Sequence, residues 1–469
     1  MLLVPLSKTS MRSYLYKSWL RSQGRGSQLD WAAVFQRRQF DSRGEVEAAA
    51  QQSLTTMLRF ARENVPFYSH LLDGPNDAAT IEKDPLAALR SLPLLDKTTL
   101  KSRFDEFRSI DISARKWYEN RSGGSTGAPA KFLQDVEFDC RSMATAALFD
   151  TWAGHRLGGR KVVLWGSERD LMVGRLSLKA RVGQFIRNEI PLNAFRMTPI
   201  DIENFVETIN RRKPAHILGY VDGTYELARH ILRNNIKVHS PKGIITSAGT
   251  LHEDMRIAIE RAFKAPVLNR YGSREVGCIA CECGSGDGLH INPFTHYLEI
   301  LGSDGEPCPV GETGEIVVTL LSNYAMPLLR YRIGDVGSLS EVPCSCGRNW
   351  PLLKAVEGRT VDIFTREDGG PVSPVYFLHF FGVVQREELG FFDKFQLVQE
   401  GINQVTLNVV SHLGASAFES ALQGKRGAIE NVIRKVMGEG CQVTVNQVSE
   451  IPKTPSGKYR YTMSKVERK

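Results

Sequence analysis

Arg121-Ser122-Gly123-Gly124-Ser125-Thr126-Gly127 is a run of small residues whose backbone N–H groups can close on phosphate oxygens, because glycine permits positive φ and has no Cβ to hold a phosphate away. Taken alone, such a stretch is a solvated turn more often than a phosphate site. It is not a Walker loop: the spacing Gly-x-x-x-x-Gly-Lys-[Ser/Thr] is absent and Lys131 lies too far along, which disfavours a P-loop NTPase. Three later stretches supply what a phosphate cradle lacks. Tyr271-Gly272-Ser273-Arg274-Glu275 offers an aromatic face and a carboxylate, and Tyr331-Arg332-Ile333-Gly334-Asp335 a second carboxylate beside a glycine. Pro452-Lys453-Thr454-Pro455-Ser456-Gly457-Lys458 presents an ammonium on a tight loop. Donors, carboxylates and a presented cation form a set able to gather anionic groups and compensate their charge.

Sulfur is the second chemical signal. Eight cysteines are present; Cys278, Cys281 and Cys283 lie just before His290, and Cys344 and Cys346 make a Cys-x-Cys-Gly turn. Soft ligands contributed by two separated segments are how a closed, tetrahedral zinc site is built. Spacing leaves open which of Cys278, Cys281 and Cys283 takes part. Cys140, Cys308 and Cys441 stand alone.

The four stretches, in this order, resemble the adenylate-forming enzymes: acyl-CoA synthetases, firefly-type luciferases and nonribosomal adenylation domains. Gly358-Arg359 adds a fifth matching element. Within that superfamily the likeness is to the phenylacetate-CoA ligase group and its capsular polysaccharide biosynthesis (CapK-type) branch, which shows Ser-Gly-Gly-Ser-Thr-Gly, Tyr-Gly-Ser-Arg-Glu and Cys-x-Cys-Gly-Arg. Asn64-Val65-Pro66-Phe67-Tyr68 and Leu92-Pro93-Leu94-Leu95-Asp96-Lys97 look like that group's N-terminal landmarks, so the resemblance spans nearly the whole chain.

The resemblance implies ATP-dependent conversion of a small carboxylic acid to an acyl adenylate, followed by thioester formation with coenzyme A. Ser122, Gly123, Gly124, Ser125, Thr126 and Gly127 would hold the β- and γ-phosphates. Glu275 would bind Mg²⁺, and Tyr271, with Gly272 and Ser273, would face adenine opposite Ala248-Gly249, with Asn269 also beside the nucleotide. Asp335 would accept from the ribose hydroxyls, Arg359 would reach the ribose or phosphate edge, and Lys458 would bridge the acid carboxylate and the α-phosphate. Arg274 stands where the family has Thr, placing a cation beside the catalytic carboxylate. The branch's Cys-x₆-His and Cys-x-Cys pattern selects Cys283, His290, Cys344 and Cys346 as a structural zinc site. Two alternatives remain: acyl transfer to a phosphopantetheine carrier protein, an amine or a sugar, and a non-catalytic adenylate-binding protein. An RNA-binding zinc protein is disfavoured, because the Cys/His residues lack flanking basic clusters with aromatics.

Composition agrees. The chain has 469 residues, 42% of them hydrophobic, and a formal charge of +8. This length calls for two or more domains. The positive charge suits anionic substrates and is spread along the chain, with no run of five basic residues. Arg12, Lys17, Arg21 and Arg25, interleaved with Tyr14, Tyr16 and Trp19, form the one basic and aromatic segment near a terminus; a solvated helix is the ordinary reading, and a membrane-surface or partner contact the alternative. The apolar start Met1–Leu6 is too short for a membrane span and lacks a signal-peptide layout, which suggests the cytoplasm. Oligomeric state is not legible.

Several elements must position these motifs. Val46, Ala49, Ala50, Leu54, Met57, Leu58 and Ala61 recur at helical spacing before Pro66. Val162–Trp165, Ala215–Leu218 and Gly243–Thr246 are short apolar runs separated by helical stretches, which predicts β/α units; Gly314–Thr319 and Gln404–Val410 also read as strands. Trp165, His216 and Tyr220 lie in segments that could line an acyl pocket, although ordinary core is at least as good a reading of each. The expected architecture is α/β: a large, multi-subdomain N-terminal ATP- and acyl-binding domain over residues 1–358 and a small mobile α+β lid over 359–469. The family's hinge Asp is replaced by Val361, with an acid one position later at Asp362.

Overall fold

A computed structural model of the chain describes residues 8–73, 78–121, 130–165, 178–194, 197, 199–359, 364–367, 371–372, 377, 381, 389–452 and 460–466. Two units emerge. The larger comprises residues 1–251, 256–333 and 337–356, and the smaller residues 252–255, 334–336 and 357–469.

A hairpin of β1 (Trp117–Arg121) and β2 (Lys131–Asp135) precedes the main sheet. That sheet has eleven strands: β3 (Lys161–Trp165), β4 (Glu189–Asn193), β5 (His216–Tyr220), β6 (Gly243–Ser247), β7 (Val267–Ser273), β8 (Gly277–Glu282), β9 (Leu289–Ile291), β10 (His296–Leu301), β11 (Gly314–Leu320), β12 (Tyr331–Leu339) and β13 (Leu352–Arg359). Their order is β10-β11-β12-β13-β9-β8-β7-β6-β5-β3-β4. The run β4-β3-β5-β6-β7 is parallel. All five residues of β6 are buried, as a central parallel strand covered on both faces requires. Helices such as Val221–Arg233 and Glu253–Phe263 make the crossovers between these strands, so the predicted β/α units are present.

The helix Arg43–Asn64 shows how local sequence sets an element. Ser42 and Glu45 form a reciprocal capping box at its start, worth about 1 kcal/mol. Val46, Leu54, Met57, Leu58 and Ala61 are buried along one face, and a fully buried leucine contributes ~2 kcal/mol. Val65 is extended before Pro66 and stops the helix.

A buried ionic cluster holds the amino-terminal edge of the parallel strands. Lys161 Nζ lies 3.0 Å from Asp150 Oδ2 and 3.5 Å from Glu189 Oε1, and His216 Nε2 lies 3.5 Å from Asp150 Oδ1. Burial would raise the Asp150 carboxyl, but Lys161 and His216 outweigh it and hold it well below the usual range. His216 is fully buried at the start of β5, which makes it a core residue, one of the two readings that the sequence left open for it. Trp165 and Tyr220 end β3 and β5 at that far edge, their rings 4.1 Å apart.

In the smaller unit, β16 (Lys394–Gly401), β17 (Gln404–Val410), β18 (Gln442–Gln447) and β19 (Thr462–Ser464) form a sheet in the order β18-β17-β16-β19; the short pair β14 (Phe364–Thr365) and β15 (Pro371–Val372) is separate. Phe418, Leu422, Ile429, Ile433 and Met437, from the helices Ala415–Gln423 and Arg426–Met437, share one core with Leu397, Val405, Leu407 and Val409.

Candidate functional site

The carboxyl ends of parallel strands are where open α/β sheets bind ligands, and the expected adenine residues lie there. Ala248-Gly249 follows β6, with Ala248 at φ +65°, unusual for a residue with a side chain. Tyr271 sits half-buried in β7 at a bulge between Tyr271 and Gly272. A Cβ on Gly272 would meet the Gly277 carbonyl oxygen at 2.4 Å, so this close strand approach requires glycine. The Asn269 N–H donates to Glu282 (2.8 Å), which Arg256 clamps at 2.8 Å. The Ser273 hydroxyl accepts from the Val276 N–H (3.4 Å) and closes the turn after β7.

That turn is tied to the strands that bracket residues 122–129. Gln134, in β2, donates its side-chain amide to the carbonyls of Arg274 (3.0 Å) and Glu275 (3.2 Å). Exposed Arg274 donates from Nη1 to the carbonyl of Arg121, the last residue of β1, at 3.5 Å. Glu275 is buried, and Lys97 Nζ stands 3.6 Å from its Oε1. Lys97 begins a helix capped by Asp96, whose Oδ1 accepts from the Thr99 N–H (2.7 Å). The segment before it is laced onto β12: the Leu95 N–H donates to Arg330 (2.9 Å), and the Arg332 N–H donates back to Leu95 (2.8 Å).

Asp335 lies within β12, after Gly334 at φ +84°. A Cβ built on Gly334 meets nothing within 4 Å. Glycine here therefore serves backbone conformation, since φ +84° is strained for a residue with a side chain. Arg359 closes β13. Ser122–Gly127, Val361, Asp362 and Lys458 lie outside the described residues.

The structure brings Cys283, His290, Cys344 and Cys346 together, their ligand atoms all within 4.8 Å of one another. Cys283 Sγ is 3.4 Å from Cys344 Sγ, and Cys346 Sγ is 3.3 Å from His290 Nε2. Four ligands at zinc bond lengths would be spaced by about 3.3–3.8 Å; the two separations of 3.4 and 3.3 Å match that spacing, and the donor types are those of a closed zinc site. Burial pushes His290 down to about 4, leaving the neutral ring that a metal takes. The Cys344–Cys346 turn is built for sulfur: the Arg348 N–H donates to Cys346 Sγ (3.4 Å), and Gly347 has φ +79°. Around it, Asp287 accepts from the Ser345 N–H (2.9 Å) and from Cys344 Sγ (3.3 Å). Gln39 Oε1 accepts from Arg348 Nε (2.7 Å) and Trp152 Nε1 (3.1 Å). Cys278 and Cys281 lie in β8, outside this cluster. Strand β8 separates Glu275 from Cys283, and His290 is itself in β9, so these two ligands do not share one loop before the next strand.

Comparison with known proteins finds relatives over most of the chain. Residues 364–465 match the CapK C-terminal domain. Protein CapK of Staphylococcus aureus is 26% identical over 430 residues, covering 89% of this chain and 88% of that protein. The phenylacetate-coenzyme A ligase of Thermus thermophilus is 26% identical over 449 residues, 89% of this chain and 96% of that enzyme. The chain is thus similar over most of its length to CapK and to phenylacetate-coenzyme A ligases. A crystal structure of 2-hydroxyisobutyryl-CoA ligase, in the postadenylation state with 2-HIB-AMP, has the same fold, with TM-score 0.71, 19% identity and 91% of each chain covered.

Two residues near the Glu275 turn were not singled out as site residues by the sequence: Lys97 and Gln134. The first belongs to a landmark stretch whose use the sequence does not reveal. The second is a lone glutamine in a strand and carries no local signal.

Proposed function

We propose that this chain joins a small carboxylic acid to ATP, forming an acyl adenylate and pyrophosphate, and then transfers the acyl group to the thiol of coenzyme A. The carboxylate oxygen attacks the α-phosphorus as pyrophosphate leaves; the thiol sulfur then attacks the acyl carbon and AMP leaves. One observation supports this reading most: the Arg274–Glu275 turn is hydrogen-bonded to both strands that bracket the Ser/Gly/Thr stretch at 122–127. A catalytic carboxylate, a guanidinium and the ends of a phosphate-type loop are thereby anchored to one another.

In this reading Ser122–Gly127 hold the outer phosphates, Arg274 compensates phosphate or substrate charge, and Glu275 is the ligand for Mg²⁺, which would neutralise charge on the phosphates. Tyr271 and Ala248-Gly249 flank adenine, and Asp335 accepts from the ribose hydroxyls. Lys458, from a lid beginning near Arg359, stabilises the charge between carboxylate and α-phosphate. The Cys283, His290, Cys344 and Cys346 set holds a structural zinc ion, since four protein ligands leave no open position. Coenzyme A as acceptor draws support from the phenylacetate-coenzyme A ligase relatives, and ATP and coenzyme A as substrates are those of a cytoplasmic enzyme. The test is acid-dependent ATP/pyrophosphate exchange over a panel of aryl, aliphatic and amino acids, followed by thioester detection with the acid that responds.

A further inference from the structure

At the amino-terminal edge of the parallel strands, the helix Lys8–Ser22 packs on the helix Leu178–Arg187, and a cavity of about 260 Å³ opens beside their seam. Its wall includes Arg12, Arg181, Arg212, Phe185 and Glu189. Arg12 donates from Nη1 to the Phe185 carbonyl (3.0 Å), with its guanidinium 5.0 Å over the Phe185 ring. Glu189 is already engaged by Arg187 (2.7 Å) and Lys161 (3.5 Å). Among the described residues, no carboxylate lies within ion-pair distance of Arg12, Arg181 or Arg212. A fourth guanidinium adjoins them: Arg160 Nη1 donates to the Arg212 carbonyl, and its buried Nε has no partner among the described residues. Burial, with Arg212 and Arg12 beside it, lowers the Arg160 pKa. Like charges gathered around a cavity repel unless an anion sits among them, and guanidinium groups match phosphate oxygens in geometry as well as charge.

The surroundings of this cavity narrow the class of anion. Phe185 is 68% exposed and Val182, one turn earlier, 45%; on the neighbouring helix Tyr14 is 69% and Leu15 48% exposed. Single exposed apolar residues are ordinary. Here they stand on the two helices that frame an arginine-walled cavity, which is the composition of an interfacial amphipathic surface. A free phosphate or a soluble nucleotide has no use for the apolar side chains, whereas a phospholipid presents a phosphate and, just below it, acyl chains.

We propose that the seam of the helices Lys8–Ser22 and Leu178–Arg187 docks on an anionic phospholipid surface, with Arg12, Arg181 and Arg212 taking headgroup phosphates and Phe185, Val182 and Leu15 entering the acyl boundary. The candidate nucleotide residues lie at the opposite ends of the strands, about 16 Å away by the length of a five-residue strand. Docking would leave that edge open to soluble substrates. No helix among the described residues is long and apolar enough to cross a membrane, so attachment would be peripheral.

Co-sedimentation of the full chain with vesicles tests this, using phosphatidylcholine alone and phosphatidylcholine mixed with phosphatidylglycerol. Binding to the mixed vesicles only, weakened by salt, is expected. The variant Arg12→Gln/Arg181→Gln/Arg212→Gln should lose affinity on the order of a hundredfold, at about a fivefold loss per arginine near the surface. The exposed Phe185→Ser, which removes no charge, should weaken binding severalfold, and Arg261→Gln, on another helix, should not change it. Equal binding to both vesicle types, no binding to either, or wild-type binding by both the triple variant and Phe185→Ser would overturn the proposal. So would a thermal shift with inorganic phosphate, abolished in the triple variant, in a chain that ignores both vesicle types; the cavity would then be a site for a soluble anion.

Discussion

Lys97 Nζ stands 3.6 Å from Glu275 Oε1, so a carboxylate proposed to bind Mg²⁺ already faces an ammonium. Lys97 is partly exposed, and such a pair is worth ~1 kcal/mol. If the two cations compete for one carboxylate, Lys97→Met should lower the Mg²⁺ concentration for half-maximal pyrophosphate exchange by roughly fivefold. Glu275→Gln should raise it at least about tenfold, as expected for loss of an ionised ligand. A Mg²⁺ titration in which both variants behave like the wild type would remove Glu275 from metal binding.

Lys458→Ala should slow adenylation by a factor of roughly a hundred or more while ATP affinity changes little, the signature of an interaction made in the transition state. Thioester formation from supplied acyl adenylate should survive. Asp335→Ala, by contrast, removes a contact made in ground and transition states alike and should mainly raise the KM for ATP. Steady-state kinetics separate the two; near-normal exchange in Lys458→Ala, or a change in Asp335→Ala confined to kcat, would contradict the roles proposed for these residues.

Zinc is expected at about one ion per chain, because four soft ligands make a single closed set. Cys344→Ser and Cys346→Ser should each lower zinc content and melting temperature, since a structural ion contributes its binding energy to folding. Cys140→Ser, remote from the cluster but fully buried, should leave zinc content and the chelator-induced shift in melting unchanged, whatever packing cost the hydroxyl carries. Metal analysis of chain purified without added zinc, together with melting in chelator, decides the point; no metal and no shift would leave these residues as ordinary core.

How much of this was legible in the sequence depended on how local each signal is. The strands β3, β5 and β6 were readable because short apolar runs between helical stretches encode them. That two Cys/His segments could form a metal set was readable because ligand spacing is a property of each segment; the family resemblance, not spacing, selected Cys283 over Cys278 and Cys281, and the fold brought the ligand atoms of Cys283, His290, Cys344 and Cys346 within 4.8 Å of one another. The Lys97–Glu275 pair, the Gln134 bonds to the turn at Arg274 and the lacing of Leu95 onto β12 join positions far apart in sequence, where no periodicity connects them. His216 was left open between pocket and core for a related reason. An apolar strand shows that a residue is buried but not at which end of the sheet, and only the fold placed it beside Asp150.

His296 makes stability acid-sensitive. It is fully buried, its Nε2–H donates to the Val276 carbonyl (2.8 Å), and Nδ1 lies 2.9 Å from Thr295 Oγ1. Burial pushes its pKa down to about 4, against about 6.5 in an unfolded chain. A depressed histidine leaves stability intact above the unfolded value. As pH falls from about 6.5 to about 4 the unfolded state takes up the proton first, and on the order of 3 kcal/mol is lost. Urea unfolding across that window should show this slope, reduced in His296→Asn; an identical slope in the variant would assign the acid sensitivity elsewhere.

The central claim is that this chain activates a carboxylic acid with ATP, and acid-dependent ATP/pyrophosphate exchange tests it most directly. Labelled pyrophosphate should enter ATP only when a suitable acid is present, with at least one member of an aryl, aliphatic and amino acid panel responding and Lys458→Ala abolishing most of the signal. A folded, nucleotide-binding chain that exchanges no label with any acid of the panel would contradict the account and leave a protein that binds adenylate without making it.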